Sequence, residues 1–277
     1  MTVERSARTA LVTGASSGLG AEFAAQLAAR GDDLVLVARS GDRLERLAAR
    51  LRANHKVRVE VIVQDLAEQD AARRISTRLT AAGIGVDLLV NNAGFGSAGH
   101  FGEIDAESER EQLMVNVVAL VGLTHALVPG MLAKGGGEII NVGSTAGFQP
   151  SPYFVTYSSG KAFVLNFSLA LRAELGDRGV RVLALCPGPT ETAFFDRVGK
   201  GAAIGGKTMA PAAVVRAALR GLERNRAYVV PGLGNALSAH LTPRRPRRMI
   251  AAMAKRVTRS VVAGDPRPKA TLAATDG

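Results

Sequence analysis

An α/β fold, with a doubly wound parallel sheet and helices on both faces, is what this sequence predicts, and three observations predict it. Short apolar runs of strand character alternate with helix-length amphipathic segments, as βαβ crossovers require. The most continuous runs, LVLVA and VEVIV, lack a polar face, which marks strands covered on both sides. A glycine-rich turn, Gly14-Ala15-Ser16-Ser17-Gly18-Leu19-Gly20, lies between the first strand and the first helix.

Strands are expected at Ala10–Thr13, Leu34–Ala38, Arg58–Gln64, Leu88–Asn91, Glu138–Val142, Val180–Cys186 and Ala227–Val230. Amphipathic helices are expected at Ala21–Arg30, Arg43–Ala53 and Glu68–Ala81, and an apolar one at Leu113–Ala133. The last is long enough to cross a bilayer, but Asn116, His125 and Pro129 interrupt it, so it reads as a core helix. Residues 1–232 form one domain in this reading. Within it, the glycine-rich stretch 193–210 departs from the βα rhythm and is expected to be a mobile lid. Residues 233–277 are expected to form a helical extension with a frayed end.

Composition narrows the class. The chain has 277 residues, 47% hydrophobic and 21% charged, which excludes a disordered or collagen-like protein. One cysteine, Cys186, excludes an internal disulfide, and four scattered histidines show no zinc-ligand spacing, so no metal is expected. The N-terminus lacks the apolar core of a secretory signal, so a reducing, cytoplasmic location is expected. Of the net charge of +11, residues 240–277 carry +7. There Ile250, Met253, Val257 and Val261 share one helical face, with Arg248, Lys255, Arg256 and Arg259 opposite. Such a basic amphipathic helix packs on its own domain, covers an active site or makes peripheral contact with anionic membrane. The tail has no aromatic residue to stack on bases, so no nucleic-acid partner is expected.

The glycine-rich turn presents backbone N–H groups and a helix N-terminus to a pyrophosphate. Its spacing is G-x-x-x-G-x-G, not G-x-G-x-x-G. Nineteen residues after Gly20, at the end of the second strand, stands Arg39. An acidic residue there would bind ribose hydroxyls, whereas a guanidinium accommodates a 2′-phosphate, so NADP(H) is preferred over NAD(H). The alternative is a solvated Arg39 in a loop that also carries Arg43 and Arg46. Tyr157 and Lys161, at i and i+4 on a helical pattern, place an ammonium near a phenol, where positive charge favours phenolate. Ser144 follows the fifth strand at its carboxyl end, where ligands bind in open parallel sheets. Asn116 either interrupts its helix or holds a water. Asn91-Asn92-Ala93-Gly94 and Pro187-Gly188-Pro189-Thr190-Glu191-Thr192 end two further strands at the same edge.

Together these motifs resemble the short-chain dehydrogenase/reductase family, in its short form of one Rossmann-like domain. The likeness rests on TGASSGLG at 13–20, Asp65-Leu66, NNAG at 91–94, Asn116, Ser144, YSSGK at 157–161 and PGPTET at 187–192, in the family's order over about residues 8–232. The resemblance implies Tyr157 as general acid/base, Ser144 as a hydrogen-bond partner of the substrate oxygen, Lys161 on the nicotinamide ribose, and Asn116 anchoring a water that links Lys161 to solvent. It implies a cofactor cleft lined by Gly14, Ser16, Ser17, Gly18, Leu19, Gly20, Asp65, Leu66, Asn92, Ala93 and Gly94. Pro187, Gly188, Thr190 and Thr192 would meet the nicotinamide. Pro189-Thr190 departs from the family's usual residues, which weakens the role of Thr190 alone.

The implied reaction is hydride transfer between a ketone or aldehyde and its alcohol. Phe95, Phe148, Tyr153, Phe154, Phe194 and Phe195, half of the twelve aromatics, are candidates for a lipophilic pocket or for packing of the domain edge. The family also implies a homodimer or homotetramer. The other readings are a non-catalytic dinucleotide sensor and a membrane-surface protein using the basic tail.

Overall fold

The computed structural model describes residues 8–192 and 208–263. Seven parallel strands form one sheet in the order β3-β2-β1-β4-β5-β6-β7: β1 Thr9–Thr13, β2 Asp33–Ala38, β3 Val59–Val63, β4 Leu88–Asn91, β5 Gly137–Val142, β6 Val180–Leu185 and β7 Tyr228–Val229. Every strand found matches an expected one to within a residue or two. The order reverses between β1 and β4, and the crevice outside the strand ends there is where such sheets bind ligands.

Alternation along the strands divides the core. Ala10, Val12, Leu34, Leu36, Leu88, Val90, Leu183 and Leu185 face α1 (Gly18–Ala28), α2 (Gly41–His55) and α7 (Pro211–Glu223). Leu11, Val35, Val37, Leu89, Ile139 and Val182 face the opposite helices, α3 (Ala71–Ala81), α5 (Ala119–Ala133) and α6 (Val155–Leu175). Both faces are therefore covered, as the runs without a polar side required.

Three departures matter for function. First, α1 begins at Gly18, earlier than expected, because the end of the glycine turn is already the helix's first turn. Second, the apolar helix is longer and interrupted: α4 (Ala106–Leu113) and α5 flank a π-helical turn, Met114–Val118, centred on Asn116. The run Ala106–Ala133 meets the length and hydropathy of a membrane span, yet Leu123 and Met131 pack into the core beneath the sheet. Third, the tail folds back over the domain as α8 (Leu233–Leu241) and α9 (Arg247–Ala263). Its buried stripe is Ile250, Ala254 and Thr258, whereas Met253 and Val257, which share the apolar face with Ile250 by spacing, remain half exposed. The side chain of Val261, the greater part of the expected lid and the expected frayed end lie outside the described residues.

Candidate active site

At the nucleotide end, geometry makes the turn dependent on glycine. Gly14 and Gly18 have φ of +65° and +54°, a region that side chains with a Cβ avoid. A Cβ on Gly20 would stand 2.2 Å from the Gly14 carbonyl oxygen and 2.6 Å from Asn92 Nδ2. Gly20 therefore supports the turn from behind, while Gly14, Ser16, Ser17, Gly18 and Leu19 line the cleft itself. Ser17 is the N-cap of α1 with an extended backbone and makes no capping bond, so its hydroxyl is not spent on its own helix. Asn92 fixes the neighbouring strand end: its amide donates to Thr13 O at 2.9 Å and its backbone N–H donates to Thr13 Oγ1 at 3.0 Å.

Further along the cleft, Asp65, Leu66, Ala93 and Gly94 line the wall, with Arg39, Ser40 and Arg43 at the far end. Arg39 Nη1 lies 3.6 Å from Asp65 Oδ2, and the guanidinium is about half exposed. It is therefore neither a buried structural ion nor remote from the cleft. A cradle of glycines and amide donors with cations at one end fits a dinucleotide carrying an extra phosphate.

The chemical centre forms where β5, β6 and α6 meet. Gly143 donates to Leu185 O at 2.7 Å and Thr145 to Pro187 O at 3.0 Å, which ties the end of β5 to the segment after β6. Ser144 caps a short 3-10 turn, its Oγ accepting from Ala146 N at 3.1 Å. Tyr157, in the first turn of α6, hydrogen-bonds the Ser144 side chain. One turn on, Lys161 donates to Val142 O at 2.8 Å, and its Nζ lies 5.7 Å from the centroid of the Tyr157 ring.

Burial sets the protonation of this cluster. It pushes the Tyr157 phenol up to about 12, with the Ser144 hydrogen bond pulling down and Cys186 pushing up. It draws Lys161 down to about 8, against an opposing effect of Cys186. Burial also pushes the Cys186 thiol up to about 12, while Lys161 and the Ser144 backbone act to lower it. The phenol is thus raised, not lowered as its neighbouring ammonium led one to expect, because loss of solvent dominates. The ordinary protonation state at neutral pH is a neutral phenol beside a charged amine.

Asn116 holds the wall opposite. Its Oδ1 accepts from Phe95 N at 3.0 Å and its Nδ2 donates to Phe95 O at 2.8 Å, so the π turn clamps the chain after β4. A Cβ on Gly94 would meet Asn116 Oδ1 at 2.9 Å and Lys161 Nζ at 3.5 Å, which places Gly94 between the two side chains. The helix is interrupted at Asn116 by the π turn, as the first of the two expectations for this residue had it.

A cavity of about 1280 Å³ joins these parts. Pro187, Gly188, Thr190 and Thr192 line it, as do Phe95, Phe148 and Phe154. Thr190 is buried and donates to Gly188 O at 3.0 Å, so it holds its own loop, and Thr192 Oγ1 lies 3.5 Å from Thr190 O. The bridge between Thr190 and Met209 pins both ends of the chain around residues 193–207. Tyr153 corrects an expectation: it lies outside the cavity lining, edge-on to His100 with ring centroids 5.3 Å apart, at a φ of +67°. Phe194 and Phe195 lie outside the described residues.

Sequence reasoning allowed the tail to cover an active site but named none of the residues that line this cavity from α8. Asn235, Ser238 and Thr242 of α8 and the adjoining turn, and Arg245, Met253 and Val257 in and before α9, all line it. Tyr228 Oη lies 2.7 Å from His240 Nε2 and its ring packs on Phe148, which fastens α8 over the end of β7. The faint sequence signal was the i, i+3, i+7 spacing of Asn235, Ser238 and Thr242.

Comparison with known proteins points the same way. The family described as short chain dehydrogenase matches residues 8–203. A very-long-chain 3-oxoacyl-CoA reductase from Phaeosphaeria nodorum is 36% identical over 177 residues, 62% of this chain and 52% of that protein. The chain thus matches about half the length of that relative. Among solved structures, a short-chain dehydrogenase from Sphingobium yanoikuyae in complex with NADPH is 38% identical, covers 84% of this chain and 93% of its own, and has a TM-score of 0.77. A bulky-bulky ketone specific alcohol dehydrogenase from Comamonas testosteroni is 36% identical, with 84% and 92% coverage and a TM-score of 0.74.

Proposed function

The chain belongs to the short chain dehydrogenase family, and from that membership we propose that it is an NADP(H)-preferring oxidoreductase interconverting a lipophilic ketone or aldehyde and its alcohol. The observation that carries the reading is the Ser144–Tyr157–Lys161 cluster, set where a glycine-cradled cleft opens into an apolar cavity.

Gly14, Ser16, Ser17, Gly18 and Leu19 hold the pyrophosphate, Asp65 and Leu66 the adenosine, and Arg39 with Arg43 the 2′-phosphate. Lys161 holds the nicotinamide ribose and Thr192 the carboxamide. When bound, the nicotinamide supplies or accepts the hydride. Ser144 donates a hydrogen bond to the substrate oxygen and holds it against the Tyr157 hydroxyl. In reduction Tyr157 gives its proton to that oxygen, and in oxidation it takes one back. The charge of Lys161 stabilises the phenolate that forms, and a water held beside Asn116 returns the proton from solvent. A neutral phenol at rest suits the reducing direction, which NADPH also favours.

Phe95, Phe148, Phe154 and Met253 support a lipophilic substrate, as do the names of the two relatives that act on a long acyl chain and on bulky ketones. Leu113, Val118, Val155 and Phe163 leave an exposed apolar face along α4 to α6, which supports pairing of subunits there into a homodimer or homotetramer. A buried thiol as sole cysteine agrees with the cytoplasm. The test is NADPH oxidation against a panel of bulky ketones and aldehydes, with polar ketones as controls. Turnover confined to the controls would refute the substrate class.

A further inference from the structure

The tail carries a surface whose cations the reaction does not use. From Arg224 to Gly264 the chain has no Asp or Glu, while Arg244, Arg245, Arg247, Arg248, Lys255, Arg256 and Arg259 crowd α9 and the turn before it. None of these seven forms an ion pair with a described residue. Beside the charges run two exposed apolar stripes at i, i+4, i+8 spacing. On α8 they are Leu233 (93% exposed), Leu237 (61%) and Leu241 (44%); on α9 they are Met249 (43%), Met253 (46%) and Val257 (54%). Met253 and Val257 also line the cavity, so the second stripe runs into its mouth.

We propose that α8 and α9 form a docking surface for an anionic lipid bilayer, which seats the mouth of the cavity on the membrane. Charge complementarity selects this occupant. A second copy would bring the same unpaired cations against one another with no carboxylate to receive them. Nucleic acid would satisfy the cations and leave two apolar stripes without a use, in a tail that has no aromatic after Tyr228. Anionic lipid satisfies both, its headgroups taking the cations and its acyl boundary the leucines. The proposal does not depend on the reaction assigned above.

The test is cosedimentation of the full chain, without substrate or nucleotide, with phosphatidylglycerol/phosphatidylcholine vesicles and with phosphatidylcholine alone. Binding is expected only to the anionic vesicles, weakening more than about tenfold at high salt and in the Arg248→Glu/Lys255→Glu/Arg256→Glu/Arg259→Glu variant. Leu237→Gln, whose native fold is checked by its thermal midpoint, is expected to weaken binding about three- to tenfold. Equal binding to both vesicle types, binding to neither, or unchanged binding by the quadruple variant overturns the proposal. Dissociation of an oligomer by Leu237→Gln, read by light scattering, assigns the stripe to a second copy and overturns it as well.

Discussion

The ammonium of Lys161 lies 5.7 Å from the centroid of the Tyr157 ring while it donates to the carbonyl of Val142 at 2.8 Å. One turn of α6 and the end of β5 thus fix the amine against the phenol, and neither group depends on a flexible loop. The amine is almost fully buried and the phenol is walled by the cleft, which accounts for the opposite shifts of their titrations.

This pairing predicts an unusual pH dependence of stability. Lys161 ionises at about 8 in the folded chain against 10.5 ordinarily, so the folded state holds that proton less tightly than the unfolded state. Below pH 8 the charged amine costs about 3 kcal/mol, and the cost fades as pH rises from 8 towards 10.5. Cys186 and Tyr157 are shifted upward and withdraw stability only above their ordinary values of 9 and 10. Between pH 8 and 9, therefore, the thermal midpoint of the wild type should rise relative to that of Lys161→Met. A gap that stays constant or moves the other way contradicts the buried, charged amine.

Gly20→Ala should damage the nucleotide cradle from behind. The added Cβ cannot clear the Gly14 carbonyl oxygen at 2.2 Å without moving the turn. A loss of about 1–3 kcal/mol in stability is expected, with a larger proportional loss of NADPH affinity. Chemical denaturation and fluorescence titration read the two effects separately.

Arg39→Asp should reverse cofactor choice. The substitution removes a cation at the far end of the cleft and sets a second carboxylate near Asp65, whose Oδ2 now lies 3.6 Å from Arg39 Nη1. NADPH affinity should fall about ten- to a hundredfold, with NADH affinity little changed. Parallel titrations of both nucleotides decide it, and equal losses for the two would remove Arg39 from the 2′-phosphate.

Met253→Ala should act on substrate and not on chemistry. The side chain lines the cavity from α9 but does not belong to the cluster around Tyr157. KM for a bulky ketone should rise several-fold with kcat nearly unchanged, the mark of an interaction made equally in ground and transition states. Steady-state kinetics with one bulky and one small ketone would show it, and a loss confined to kcat would contradict it.

Much of this was legible in the chain because it rests on local rules. Continuous apolar runs such as LVLVA, alternating with helix-length segments, place the strands within a residue or two, and the glycine-rich stretch after the first strand places the turn. The i, i+4 relation brings Tyr157 and Lys161 together without further knowledge. What was not legible depends on long-range packing. Tyr153 sits among aromatics in sequence, yet a positive φ turns it towards His100 and away from the cavity. The tail buries Ile250, Ala254 and Thr258 and leaves Met253 and Val257 half exposed, a choice of face that the helical spacing of apolar residues does not contain. The upward shift of the phenol required knowing how the cleft walls in the Tyr157 ring, which no spacing reveals.

Everything proposed for the reaction rests on Tyr157 moving the proton. The direct measurement is NADPH binding and ketone reduction by wild type and Tyr157→Phe in the same preparation. Equal NADPH affinity is expected for the two, with a loss of reduction of about 10²–10⁴-fold in the variant. Reduction that survives the substitution, or failure of the wild type to bind NADPH, contradicts it.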